Sequence, residues 1–152
     1  MKISLPVGAW ILLRLITSFC GVFGFSIMFN SPVRLAATAA GIGAIANTLR
    51  LEMVDMTAIP PAGAAFVGAL TAGILAWLIK SKVGYPRISL TVPSIVIMVP
   101  GMYLYRGFYN LGIMSLGPAA SWFASAILII AALPLGLIFA RILTDETFRY
   151  CT

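Results

Sequence analysis

Apolar residues occur along this chain in five long runs, and short segments of turn-forming and charged residues separate them. The first run extends from about Leu5 to Phe29, where Asn30-Ser31-Pro32 supplies turn chemistry. At about 1.5 Å per residue this run would reach roughly 37 Å as a helix, enough to cross a hydrocarbon core of about 30 Å. The predicted spans are residues 5–29, 33–53, 61–79, 88–105 and 118–143. The pattern predicts an all-α integral membrane protein, a single domain (1–152) of about five transmembrane helices.

The composition is typical of a protein embedded in lipid. Of the 152 residues, 61% are hydrophobic and 9% are charged, whereas soluble domains are about a quarter charged. The net charge of +6 comes from basic residues scattered between the apolar runs, while nucleic-acid-binding proteins concentrate theirs on one face. Basic residues beside membrane spans report topology and contact with anionic lipid. We therefore expect membrane lipid, and no nucleic acid, as a partner.

The fourth run holds Pro93 and the pair Pro100-Gly101. Proline removes a backbone donor and clashes with the preceding turn, and glycine permits conformations that other residues avoid. Pro100-Gly101 therefore predicts that the fourth helix is broken, with a half-helix starting after it. Such breaks are tolerated where they line a cavity, and transporters use the N-terminus of the half-helix to hold an anionic group. Two alternatives stay open, a simple kink in a packed helix and a re-entrant segment.

Arg14 lies well inside the first run, with Thr17 and Ser18 one turn further along the same face. A charge at that depth usually faces protein or water, where it is available to a carboxylate. It can equally snorkel towards the N-terminal interface, because helical side chains lean that way.

Asn47 and Arg50 share one face near the end of the second run, because they are three residues apart. A guanidinium together with an amide can recognise a carboxylate. Alternatively, Arg50 caps the end of its helix, or meets Glu52 or a lipid phosphate.

The sequence offers little for catalysis. It has no histidine, and its four acidic residues lie near the ends of the apolar runs. It contains neither a cluster of metal ligands nor a nucleophile with a candidate base. We therefore expect no enzyme activity, no catalytic residue, no cofactor and no metal ion. An intramembrane carboxylate that could relay protons is also missing.

Small residues recur four apart in three of the runs. The rows are Ala36, Ala40 and Ala44; Ala39, Gly43 and Asn47; Ala64, Gly68 and Ala72; and Ala120 with Ala124. In lipid, such rows permit the close backbone packing by which helices associate. Five helices offer few mutual faces, so we expect a protein partner or self-association into a homo-oligomer.

The distribution of basic residues predicts the topology. With five spans, one side holds Lys2, Arg50 and Arg106, and the other holds Arg34, Lys80, Lys82, Arg87, Arg141 and Arg149. Since cytoplasmic loops are enriched in basic residues, the N-terminus is expected outside and the C-terminus in the cytoplasm. A re-entrant fourth segment would leave the rule undecided.

Three features, in this order and spacing, resemble the threonine/serine exporter family. The stretch from Gly24 to Arg34, Gly-Phe-Ser-Ile-Met-Phe-Asn-Ser-Pro-Val-Arg, is similar to the end of that family's first helix and its loop. Gly41-Ile42-Gly43 with Arg50, and the proline-rich run ending in Pro100-Gly101 with Tyr105 four residues later, also match. The resemblance covers about residues 20–140. The positions that match its motifs are Pro32, Arg34, Gly43, Arg50, Pro93, Pro100, Gly101 and Tyr105.

The resemblance is to the smaller, C-terminal half of the exporter, which often occurs as a separate subunit. It implies export of threonine, serine or related small metabolites across the cytoplasmic (inner) membrane, and a larger partner subunit resembling the N-terminal half. The candidate substrate-binding residues are Arg14, Asn47, Arg50, Pro100, Gly101 and Tyr105. The alternative is a membrane scaffold subunit that stabilises its partner without contacting substrate.

Overall fold

The computed structural model describes residues 6–57 and 59–145, and these ranges form six α-helices without a strand. The helices are α1 (Val7–Met28), α2 (Val33–Thr57), α3 (Pro61–Val83), α4 (Arg87–Val96), α5 (Gly101–Gly112) and α6 (Leu116–Thr144). The predicted all-α class is confirmed, and so is the break in the fourth predicted helix, which separates α4 from α5.

The connections between the helices follow from local backbone chemistry. Asn30, at φ 56°, turns the chain between α1 and α2, a conformation that Asn tolerates better than most residues. Gly84, at φ 71°, ends α3 and donates its N–H to the carbonyl of Lys80, as expected of a helix C-terminus. Pro61 begins α3 in the first turn, where its missing N–H costs nothing.

Within the described ranges, four helical segments are long and apolar enough to cross a membrane. They are α1, α3, the segment Arg87–Gly112 that comprises α4 and α5, and α6. The protein is therefore a multi-pass membrane protein. The second predicted span, α2, has 25 residues but is not among the four.

The position of α2 explains its lower apolarity. It packs against α1, α3 and α4, and 11 of its residues are buried, compared with three in α1. A helix surrounded by protein can hold polar side chains such as Asn47 and Arg50, because they need not face hydrocarbon.

Three helices extend four or more residues beyond the predicted bounds: α3 runs to Val83 rather than residue 79, and tertiary contacts account for the extension of α5 and α2. The fourth run was expected to end at Tyr105, but α5 continues to Gly112 because it packs on α6. The guanidinium of Arg106 lies over the ring of Trp122 on α6, 4.9 Å from its centroid. Because this contact accommodates the charge, α5 continues through Arg106. Likewise, α2 continues past Met53 to Thr57, because the carboxylate of Asp55 is paired with Arg14.

Most small residues of these rows are buried in contacts between helices of this chain. Ala36, Ala40 and Ala44 of α2 are buried. A Cβ at Gly136 of α6 would lie 2.5 Å from the carbonyl oxygen of Phe66, so α3 and α6 touch backbone to backbone. Ala120 and Ala124 of α6, by contrast, are exposed. A partner surface among these rows would therefore be on α6.

Candidate functional site

The break between α4 and α5 spans residues 97–100. Pro100 has no N–H to donate, and the carbonyl of Val96 instead accepts from Val99 at 3.2 Å, while Gly101 donates to Val99 at 2.8 Å. The ten residues of α4 correspond to about 15 Å of helix, roughly half of a hydrocarbon core. The chain thus has irregular backbone at residues 97–100 rather than a simple kink in a continuous helix.

Arg50 of α2 reaches this break. Its Nη1 donates to the carbonyl oxygen of Met98 at 3.2 Å, and the residue is only 8% exposed. Its Nε has no hydrogen-bond partner, and no described carboxylate forms an ion pair with it. A buried charge is costly without a compensating partner. In a membrane protein such a residue is a candidate functional group.

Two further polar side chains on the same turn of α2 are incompletely satisfied. Asn47 donates through Nδ2 to the hydroxyl of Ser18 on α1 at 2.9 Å, while its Oδ1 has no partner. The hydroxyl of Thr48 is also buried without a partner. Native proteins hold few such atoms. Asn47 and Arg50, three residues apart, share one face of α2, and their unpaired atoms offer an acceptor and a donor to a small polar ligand, whereas Thr48 lies on the opposite face of the helix.

A close contact positions α2 against α4 next to the break. A Cβ at Gly43 would lie 2.9 Å from the carbonyl oxygen of Ser94 and 2.7 Å from a methyl group of Val22, so only glycine fits. The Ser94 hydroxyl donates to the carbonyl of Ala39 across this contact at 2.9 Å. The packing therefore sets the distance between Arg50 and the break.

A family model described as Threonine/Serine exporter, ThrE matches residues 14–143, most of the chain. The chain belongs to the threonine/serine exporter family. Comparison with curated proteins found no match, and comparison with solved structures found none either. The match spans α2 through α5, so Arg50 and the break both lie inside the part shared with the exporter family.

The exporter fold brings together some of the predicted site residues. Arg50 contacts the break directly, and Asn47 lies one turn before Arg50 on α2. Pro100 is buried at the break, and a Cβ at Gly101 would meet open space. Tyr105 is 64% exposed and stacks on Tyr109, so its ring lies on the outer surface of α5.

Arg14 has a different environment from Arg50. It forms ion pairs with Glu52, at 2.8 Å, and with Asp55, both on α2. The sequence left two orientations open for Arg14, towards protein or towards the N-terminal interface. In the structure its side chain faces protein, namely α2. Two carboxylates compensate its charge, and its ion pairs tie α1 to the second half of α2.

Sequence reasoning missed three residues of this site. Ser18 was considered only as a neighbour of Arg14, although it binds Asn47. Ser94 stands in an apolar run just after Pro93, and a hydroxyl there could have signalled a buried contact. The carbonyl of Met98 has no sequence signal, because any residue supplies one.

Proposed function

We propose that this chain is a subunit of a secondary transporter that exports threonine, serine or related small carboxylate metabolites. In this proposal Arg50 binds the substrate carboxylate at the break between α4 and α5. The observation that carries it is the buried guanidinium of Arg50, which no described carboxylate neutralises. Membership of an exporter family supports the reaction class.

The groups around the break suit an amino-acid zwitterion. A carboxylate can accept two hydrogen bonds from the planar fork of Arg50. Gly101 already donates to Val99, but the next N–H groups of α5, those of Met102 and Tyr103, have no intrahelical acceptor, and the helix dipole favours negative charge there. The unpaired Oδ1 of Asn47 can accept from the ammonium group. The unpaired atoms of Arg50 and Asn47 thereby gain partners from the substrate.

Binding in this arrangement changes the break itself. The hydrogen bond from Arg50 to Met98 holds α2 against the irregular backbone. A substrate carboxylate would compete for the guanidinium, and the Met98 carbonyl would then lose its donor. We infer that substrate binding loosens the break and so is coupled to the change of access across the membrane.

The larger subunit would provide the ion coupling. The described carboxylates, those of Glu52, Asp55 and Asp145, are all in ion pairs with arginine or lysine. A proton-coupling group is therefore expected on the partner resembling the family's N-terminal half. The complex would lie in the cytoplasmic membrane.

The test is export of labelled threonine and serine from cells that lack this gene and then regain it. Efflux should fall on deletion and return with the wild-type gene. It should not return with Arg50→Ala, whereas Arg106→Gln, an exposed arginine of α5, should restore it. Unchanged efflux on deletion would contradict the amino-acid assignment.

The same variant separates transport from a scaffold role. The exposed row of Ala120 and Ala124 on α6 is the observation that favours a scaffold subunit. If Arg50→Ala abolishes efflux while the larger subunit still copurifies, the substrate path includes this chain. If the complex is lost as well, the scaffold role is favoured.

A further inference from the structure

Tyr103 lies in the first turn of α5, just after the break between α4 and α5. Because helical side chains lean towards the N-terminus of their helix, its ring leans back towards the break. The side chain is half-buried and packs against the hydrophobic core. Its neighbours Met102 and Tyr105 are each 64% exposed. In this first turn, Tyr103 is therefore the aromatic residue that faces the proposed substrate site.

The ring of Tyr103 is held in place by α6. Its centroid lies 5.6 Å from that of Trp122, and Arg106, one turn further along α5, lies over the same indole. Turning the ring outwards would break its contact with Trp122 and expose apolar surface that is now packed on the core. The position of the phenol is thus set by the packing of α5 on α6.

The hydroxyl of Tyr103 is available to a ligand. No described residue forms a hydrogen bond with it, and the phenol lies within electrostatic reach of the Arg50 guanidinium. A phenolic hydroxyl can donate one hydrogen bond and accept others. The surroundings of Arg50 therefore hold a third group for binding, in addition to the unpaired atoms of Arg50 and Asn47.

We propose that Tyr103 determines specificity by binding the side-chain hydroxyl of a β-hydroxy amino acid. The inference rests on the proposed function, in which Arg50 holds the carboxylate and Asn47 accepts from the ammonium group. With both ends of the zwitterion held, the substituent on the substrate Cβ is the part left to discriminate. A substrate without a hydroxyl leaves the phenol unpaired and binds less well. Tyr105 cannot substitute for Tyr103, because its ring lies on the outer surface of α5.

The test compares substrates that differ in one hydroxyl, serine with alanine and threonine with valine. Cells that lack the gene, or regain it as wild type or variant, are loaded with each labelled amino acid, and the gene-dependent initial efflux is measured. The wild type should prefer serine to alanine and threonine to valine. Tyr103→Phe should lower both ratios by about two- to tenfold, the value of one neutral hydrogen bond. Since phenylalanine keeps the ring on Trp122, efflux of alanine should be retained.

Tyr105→Phe is the matched control, because it removes the same hydroxyl from the exposed face of the same helix, and it should leave both ratios unchanged. A role of Tyr103 in packing alone would change efflux of all four amino acids together and leave the ratios as they are, which would overturn the inference. Unchanged ratios in Tyr103→Phe, in cells whose wild-type chain exports threonine and serine, would reject the inference and leave the proposed function standing. Absence of gene-dependent efflux of all four would reject both.

Discussion

Arg50 is buried among apolar side chains while the charge of its guanidinium is only partly compensated. Among the described residues, this group donates to a neutral carbonyl, that of Met98. Arg14, on the neighbouring helix, has two carboxylates within reach. Two arginines in one bundle thus differ in whether the protein itself supplies the counter-charge. The one without it has a local reason to bind an anion.

Arg50→Lys should impair export although it retains the positive charge. An ammonium cannot supply the planar pair of donors that a guanidinium offers to a carboxylate. The loss of one charged hydrogen bond corresponds to about 1.5–3 kcal/mol, or roughly a 10- to 150-fold fall in transport at low substrate. Initial efflux rates over a range of internal threonine concentrations measure this change.

Arg106→Lys is the control for that substitution, because Arg106 is exposed and its guanidinium lies over the ring of Trp122 rather than at the break. It should leave the rates unchanged. An Arg50→Lys variant that transports normally, while present in normal amount, would show that no bidentate contact to substrate is made at this position.

At the level of the helices, the contact between α2 and α4 determines where Arg50 lies relative to the break. Gly43 permits it, because any side chain there would meet the backbone of Ser94. Gly41, two residues earlier on the same helix, has open space where a Cβ would be. The two glycines therefore lie two residues apart on the same helix and differ in whether a neighbouring helix packs against them.

Gly43→Ala should destabilise the protein, whereas Gly41→Ala should not. Overpacking of a tight contact typically costs about 1–3 kcal/mol, while alanine in an open helical position stabilises the helix by up to about 1 kcal/mol relative to glycine. Thermal denaturation of the purified chain in detergent measures both effects. Efflux should fall for Gly43→Ala alone, because moving α4 from α2 separates Met98 from Arg50. Equal stability of the two variants would contradict the packing argument.

Apolar runs predicted most of the helices, because membrane spans need long apolar sequences. The end of α5 could not be predicted, because an arginine and a glycine after an apolar run are typical of a loop. In the structure Arg106 and Gly107 are helical, since they pack against Trp122 and Phe123 of α6. For the site, Arg50 and Pro100-Gly101 could be singled out separately. Their meeting through the Met98 carbonyl could not, because it depends on how α2 packs against α4. The sequence placed Glu52 and Asp55 only near the end of an apolar run and could not show their pairing, since their partner Arg14 is on another helix.

At the scale of the whole molecule, the hydrogen bonds between helices show which helix ends lie on the same side of the bundle. Arg87 binds Thr144, so the start of α4 and the end of α6 lie together, and the short loop at Gly84 brings the end of α3 there too. Ser94 contacts Ala39, and Met98 contacts Arg50 further along, so α2 and α4 run in the same direction. The start of α2, with Arg34, is therefore at this side as well.

The burial of Arg50 sharpens the charge argument for topology. Arg50 had been counted with Lys2 and Arg106, but a residue that is 8% exposed inside the bundle does not report the orientation of a loop. The side with Arg34, Lys80, Lys82, Arg87 and Arg141 is then favoured more strongly as cytoplasmic.

We therefore expect Ser81 and Ser115 to lie on opposite sides of the membrane. Ser81 is at the end of α3 and Ser115 precedes α6, so each can be replaced by cysteine in a chain in which Cys20 and Cys151 are serine. A membrane-impermeant maleimide added to intact cells should label Ser115→Cys, and Ser81→Cys only after permeabilisation. The variants are matched, since each changes one hydroxyl to a thiol.

The reverse labelling pattern would mean that the orientation is inverted, and labelling of both cysteines from outside would mean that the segment Arg87–Gly112 is re-entrant. In that case Arg50 and the break would open to one side only, as a gate rather than as a site halfway along a path.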